Sequence, residues 1–85
     1  MDECGKLKAV LDDFSKAMYD KLMAKYRKEG YRGWDSPECE KFLIAGLIEH
    51  VSKSYSGNFS PDSLIDIANY CMFLWNLKKS HADVE

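Results

Sequence analysis

The run Asp66-Ile67-Ala68-Asn69-Tyr70-Cys71-Met72-Phe73-Leu74-Trp75-Asn76 decides how this chain is read. It is apolar nearly all round, yet Asp62, Asp66, Asn69 and Asn76 recur at helical spacing and fall on one stripe. A helix that buries most of its circumference normally excludes such groups, because an unpaired buried carboxylate costs several kcal/mol or gives up its charge. The stripe therefore lies in solvent or in a site.

Outward from that run the periodicity predicts two more helices. Leu7, Leu11, Phe14, Met18, Leu22 and Tyr26 step by three and four, with Val10 and Ala17 beside them, over about residues 3–28. Gly30 and Gly33 end that helix and start a turn. Ser36-Pro37 reads as an N-cap with proline at the first helical position, and Glu38 and Glu40 suit the positive end of the dipole. This second helix, about 37–55, carries Phe42, Leu43, Ile44, Leu47, Ile48 and Val51. Ser60-Pro61-Asp62 repeats the device and opens a third helix, about 61–78, which ends in Lys78-Lys79. No segment alternates as a strand would. The expectation is an all-α fold and a single helical domain over residues 1–85.

The first helix would be about 39 Å long and the others about 30 Å each. Tyr70, Met72, Phe73, Leu74 and Trp75 cannot all face one intramolecular core. A second copy covering the excess predicts a homo-oligomer.

The bulk numbers bound the function. Eighty-five residues with 46% apolar and 31% charged content describe one small globular unit rather than a disordered or fibrous chain. A formal charge of −2 argues against general nucleic-acid binding, although local patches can still hold phosphate. Cys4, Cys39 and Cys71 are odd in number and lack CxxC spacing, which predicts reduced, buried thiols in a cytoplasmic protein. No stretch has the length of a membrane span, and the acidic start does not read as a secretory signal. Asn58-Phe59-Ser60 matches a glycosylation triplet but precedes Pro61 and carries no weight.

Three motifs coincide: Phe14-x-x-x-Met18-x-x-Lys21-Leu22 followed by a basic stretch and Gly33-Trp34; Leu47-Ile48-Glu49-His50-Val51-Ser52-Lys53; and Asp66-Ile67-Ala68-Asn69-Tyr70-x-Met72. Together they resemble the MazG-like all-α nucleoside-triphosphate pyrophosphohydrolases, in the short form found in phages, over roughly residues 14–76. The resemblance implies an E-x-x-E on one helix and an E-x-x-D on a later one, holding magnesium against substrate phosphates. Two carboxylates three residues apart share a helix face, so two such pairs form an oxygen-rich cage. Here the first pair falls on His50 and Lys53 and the second on Ser63 and Asp66. One acid of four remains, and a lysine at a cation site repels the metal.

The resemblance thus implies a subunit that completes a helical bundle by homo-oligomerisation and binds a nucleotide without turnover: a pseudoenzyme that sequesters a nucleotide or nucleotide signal. By analogy with phage forms, that purpose would be anti-defence. One alternative is an active magnesium-dependent pyrophosphohydrolase rescued through Glu49 and Asp62. Another is an interaction module whose third helix grips a host protein. The expected ligand-binding residues are His50, Lys53, Asp66 and Asn69, with Lys21, Lys25 and Trp34; no catalytic residue, metal ligand or cofactor is expected outside the enzyme alternative.

Each residue also has a plainer reading. Asp66 and Asn69 would be a solvated or hydrogen-bonded stripe, and Lys53 an exposed helix face. Lys21, Lys25, Arg27, Lys28 and Arg32 would be a solvated helix end complementing the dipole. Trp34 is a lid over a base or, as preferred, the plug that seals its turn onto the bundle; Tyr31 carries the same ambiguity. His50 with Asp66 makes a poor transition-metal site, since no third ligand is evident.

Overall fold

The structure is a computed structural model and describes residues 2–30 and 32–81, the last without its side chain. The described residues are all-helical, with no strand among them: α1, Glu3–Glu29; a 3₁₀ turn, Pro37–Cys39; α2, Glu40–Ser56; and α3, Pro61–His81. They fall into two compact units, Met1–Gly30 and Tyr31–Glu85.

The first unit is α1. Asp2 caps it, accepting from the Gly5 amide at 2.7 Å. Gly30, at φ 69°, stops it by donating its amide to the Tyr26 carbonyl at 2.8 Å, a left-handed exit that glycine adopts without steric cost. Lys8–Asp12 and Lys16–Asp20 ion pairs, both at 2.8 Å, line its polar face at i,i+4 spacing. None of its described residues is buried; Leu7, Val10 and Leu11 are all more than three-fifths exposed.

The second unit is an antiparallel hairpin of α2 and α3. Its register is fixed at three heights. Lys78 on α3 reaches Glu40 at the start of α2 at 3.0 Å. In the middle the Cε1, Cζ and Oη atoms of Tyr70 abut Gly46, where a side chain of any size would collide with the ring. Nearest the corner, His50 meets Asp66. Leu77 is the only hydrophobic residue fully buried among those described, worth about 1.5–3 kcal/mol. That is a small core for fifty residues.

The second helix begins later than its pattern suggests. Pro37–Cys39 close as a 3₁₀ turn, with the Cys39 amide on the Ser36 carbonyl at 2.9 Å. The Ser36 hydroxyl makes no cap bond and donates to Glu38 instead. Ser60 does cap: its Oγ accepts the Ser63 amide at 3.2 Å. The third helix runs three residues beyond Lys78, and the Ser80 hydroxyl returns to the Asn76 carbonyl at 2.7 Å. The expectation of buried thiols fails: Cys4 and Cys71 are exposed and Cys39 half-buried, although all three are free. Cys71 sits in an apolar run, but the hairpin buries only the part of α3 that faces α2.

Candidate functional site

The polar stripe of α3 runs from water into the hairpin. Asp62 is exposed, Asp66 half-buried, and Asn69 only 6% exposed. The stripe is therefore not a solvated face: it enters the packed side of α3, where polar groups need partners. Asp66 has one across the hairpin, for its Oδ2 lies 3.1 Å from His50 Nε2. Tyr70, one turn on from Asp66, sets its ring 5.9 Å from the imidazole at 52° and walls the pair on one side. That wall depends on Gly46, which admits the Tyr70 ring against the α2 backbone.

At the corner next to this pair the turn opens a depression of about 250 Å³, lined by His50, Lys53, Ser54, Gly57, Ser60 and Ser63. The local sequence builds it. Gly57 and Phe59 both donate their amides to the Ser54 carbonyl, at 3.0 and 2.9 Å, which folds the end of α2 back on itself. Asn58 and Phe59 follow with φ of 59° and 51°, a left-handed pair that only the first tolerates easily. Packing of the Phe59 ring edge-on to Tyr55, at 6.3 Å, helps hold that conformation. Ser60 and Ser63 then place two hydroxyls 3.1 Å apart at the positive end of α3.

Lys53 is mostly exposed and bonded to Glu49 at 2.6 Å. That hydrogen bond, with the attraction of the opposite charge, raises the lysine above its usual pKa and lowers the glutamate below its own. The lysine at the rim is therefore fully charged and already partnered by an acid one turn away.

All four positions that the resemblance assigns to a magnesium cage come together here. His50, Lys53 and Ser63 line the depression, and Asp66 holds His50 from behind. Their donor set does not fit magnesium. It offers one carboxylate, engaged by an imidazole, with a paired ammonium and a hydroxyl, whereas magnesium demands octahedral oxygen ligands. Among the described residues no group of three or more His, Cys, Asp or Glu side chains is placed to hold a metal ion.

Asn69 is packed within the hairpin and does not line the depression. Trp34 sets its ring against Phe73 of α3, centroids 5.4 Å apart and tilted by 34°, and does not line the depression. Lys21 and Lys25 belong to α1, in the other unit, whereas Arg32 is part of the second, so the basic cluster is divided between the two. Tyr31 lies outside the described residues. Ser54 and Ser60 were not anticipated as site residues. Ser54 follows His50 by one helical turn and shares its face, a signal that a serine inside an amphipathic pattern seldom conveys; Ser60 was legible only as a cap.

Comparison of the chain with models of protein families, with curated proteins and with solved structures yields no match.

Proposed function

We propose that this chain is a non-catalytic nucleotide-binding protein of MazG-like ancestry, assembled as a homo-oligomer, that sequesters a nucleotide or a nucleotide signal. One observation carries the reading: the four cage positions converge, yet His50 and Asp66 satisfy each other at 3.1 Å and Lys53 brings a cation to the rim. Such a site favours an anion directly through charge-assisted hydrogen bonds. Water activation through a metal would need acids at His50, Lys53 and Ser63. An anti-defence purpose rests on analogy with the short phage forms.

The test is twofold. Native mass spectrometry of the purified protein should report a multiple of the chain mass with a nucleotide retained. Incubation with magnesium and each nucleoside triphosphate should release no pyrophosphate; rapid metal-dependent release would overturn the reading in favour of the enzyme.

Self-association is supported by apolar surface that the hairpin leaves uncovered. Ile44, Ile48, Val51 and Tyr55 share one side of α2, with Ile48 61% and Tyr55 76% exposed. The same stripe favours a second reading, a module that binds an apolar helix of another protein. A monomer that binds no nucleotide would support that reading instead.

A further inference from the structure

Ser54 is 7% exposed, lines the corner depression, and its hydroxyl makes no hydrogen bond to any described residue. The hydroxyl oxygen is not sealed from solvent, so a ligand in the depression can reach it and accept its hydrogen bond. Around it stand the Ser60 and Ser63 hydroxyls, the Lys53 ammonium and the imidazole of His50. With Nε2 of His50 turned to Asp66, Nδ1 is the nitrogen left for a ligand, and it donates to a phosphate oxygen in the imidazolium form. The amides of Ser63 and Leu64 are already taken by Ser60, so recognition falls on the side chains, with the α3 dipole adding to it. The volume narrows the ligand further. About 250 Å³ lies below the roughly 300–1,000 Å³ of sites that enclose a whole small molecule. It admits a phosphate and part of a sugar, and leaves a base outside.

We propose that this corner binds the phosphate monoester end of a nucleotide without metal, through Ser54, Ser60, Ser63, His50 and Lys53. The proposal rests on the nucleotide-binding reading and specifies which end of the ligand this cavity takes. Glu49 competes with the ligand, because it holds Lys53 at 2.6 Å, and binding draws the ammonium from the carboxylate to the phosphate.

The experiment is an NMR titration of the full chain with inorganic phosphate, in the presence of EDTA and at constant ionic strength. The amides of Ser54, Gly57, Ser60 and Ser63 should shift together and saturate. Lys53→Ala and Ser54→Ala should each weaken the affinity about tenfold, as loss of one hydrogen bond to a charged group does. Ser54→Ala should meanwhile leave the thermal midpoint unchanged, which a merely structural serine would not do. Glu49→Gln should tighten binding by releasing Lys53. Shifts that do not saturate, or an affinity indifferent to Ser54→Ala, would overturn the proposal. Two further arms separate it from the broader reading. A nucleotide that binds without moving the corner amides overturns the phosphate site and spares the function. A nucleoside monophosphate that binds no tighter than phosphate, with the corner amides moving, supports the site and removes the function.

Discussion

A methyl group at Gly46 would lie 2.8 Å from Tyr70 Cε1 and 2.9 Å from its Cζ and Oη, closer than carbon atoms approach. Replacing a mid-helix glycine with alanine ordinarily gains about 1 kcal/mol of helix propensity. Here the collision costs about 1–3 kcal/mol, because Tyr70 is wedged between α2 and the His50 ring and cannot move without disturbing both. Gly46→Ala is expected to destabilise the protein by about 1 kcal/mol in urea denaturation. The loss should shrink in a Tyr70→Leu background, and additivity in that cycle would refute the contact. The pair beside it shows what one residue conveys alone. Asp66 was recognisable as a site candidate from its apolar neighbours, and the resemblance set it at one site with His50, but no spacing in the string gave their direct contact at 3.1 Å. That contact depends on how the two helices meet, which is set by Gly46, a residue with no chemistry of its own.

Lys53 and Glu49 yield a second expectation at this scale. The lysine's hydrogen bond, then its charge, holds the Glu49 carboxyl below its usual 4.5. A group depressed in the folded state stabilises the fold above its unfolded value, and that contribution disappears as pH falls through the folded one. The pair is exposed, so its effect on stability is small and screened by salt. The titration itself is the better observable. The Glu49 carboxyl carbon should titrate below 4.5 by NMR and rise toward that value in Lys53→Ala.

Among the elements, the two Ser-Pro-acid triplets look equivalent as sequence and behave differently in the structure. Ser60 Oγ accepts the Ser63 amide and donates to the Ser63 hydroxyl, so it is a working cap of α3. At Ser36 the backbone carbonyl takes the Cys39 amide in a 3₁₀ turn, which leaves the hydroxyl to Glu38. Ser60→Ala should therefore cost about 1 kcal/mol, and Ser36→Ala no more than a few tenths, by thermal or urea unfolding. Equal losses would mean that both serines cap. The triplets revealed where each helix begins within three residues, because proline fixes φ at the first turn in either geometry. They could not reveal which hydrogen bond closes the turn, since a 3₁₀ turn and an α-helical cap accept the same residues. For the same reason the helical periods of α1, α2 and α3 were legible, whereas the corner depression was not. It arises from the left-handed backbone of Asn58 and Phe59, which no apolar period encodes.

For the molecule as a whole, the imbalance between surface and core sets the expectation. Leu77 is the sole fully buried hydrophobic residue among those described, while Leu7, Val10, Leu11, Phe42, Ile48, Tyr55 and Trp75 are each more than three-fifths exposed. A chain of 85 residues has little margin at this size, and most helical stability in proteins comes from packing an apolar face rather than from propensity. We expect the thermal midpoint to rise with protein concentration, as it does when folding and association are linked. Phe73 and Trp75 separate the two contributions. Phe73 lies against Trp34, so Phe73→Asp should unfold the second unit at any concentration. Trp75 is 62% exposed with Lys79 over its ring at 4.5 Å, and losing the indole disturbs little within one chain. Trp75→Glu should therefore lower the sedimentation mass and abolish the concentration dependence, while helicity at high concentration is retained. A midpoint that does not move over a hundredfold range of concentration, with a monomer in the ultracentrifuge, would overturn self-association through the exposed stripes.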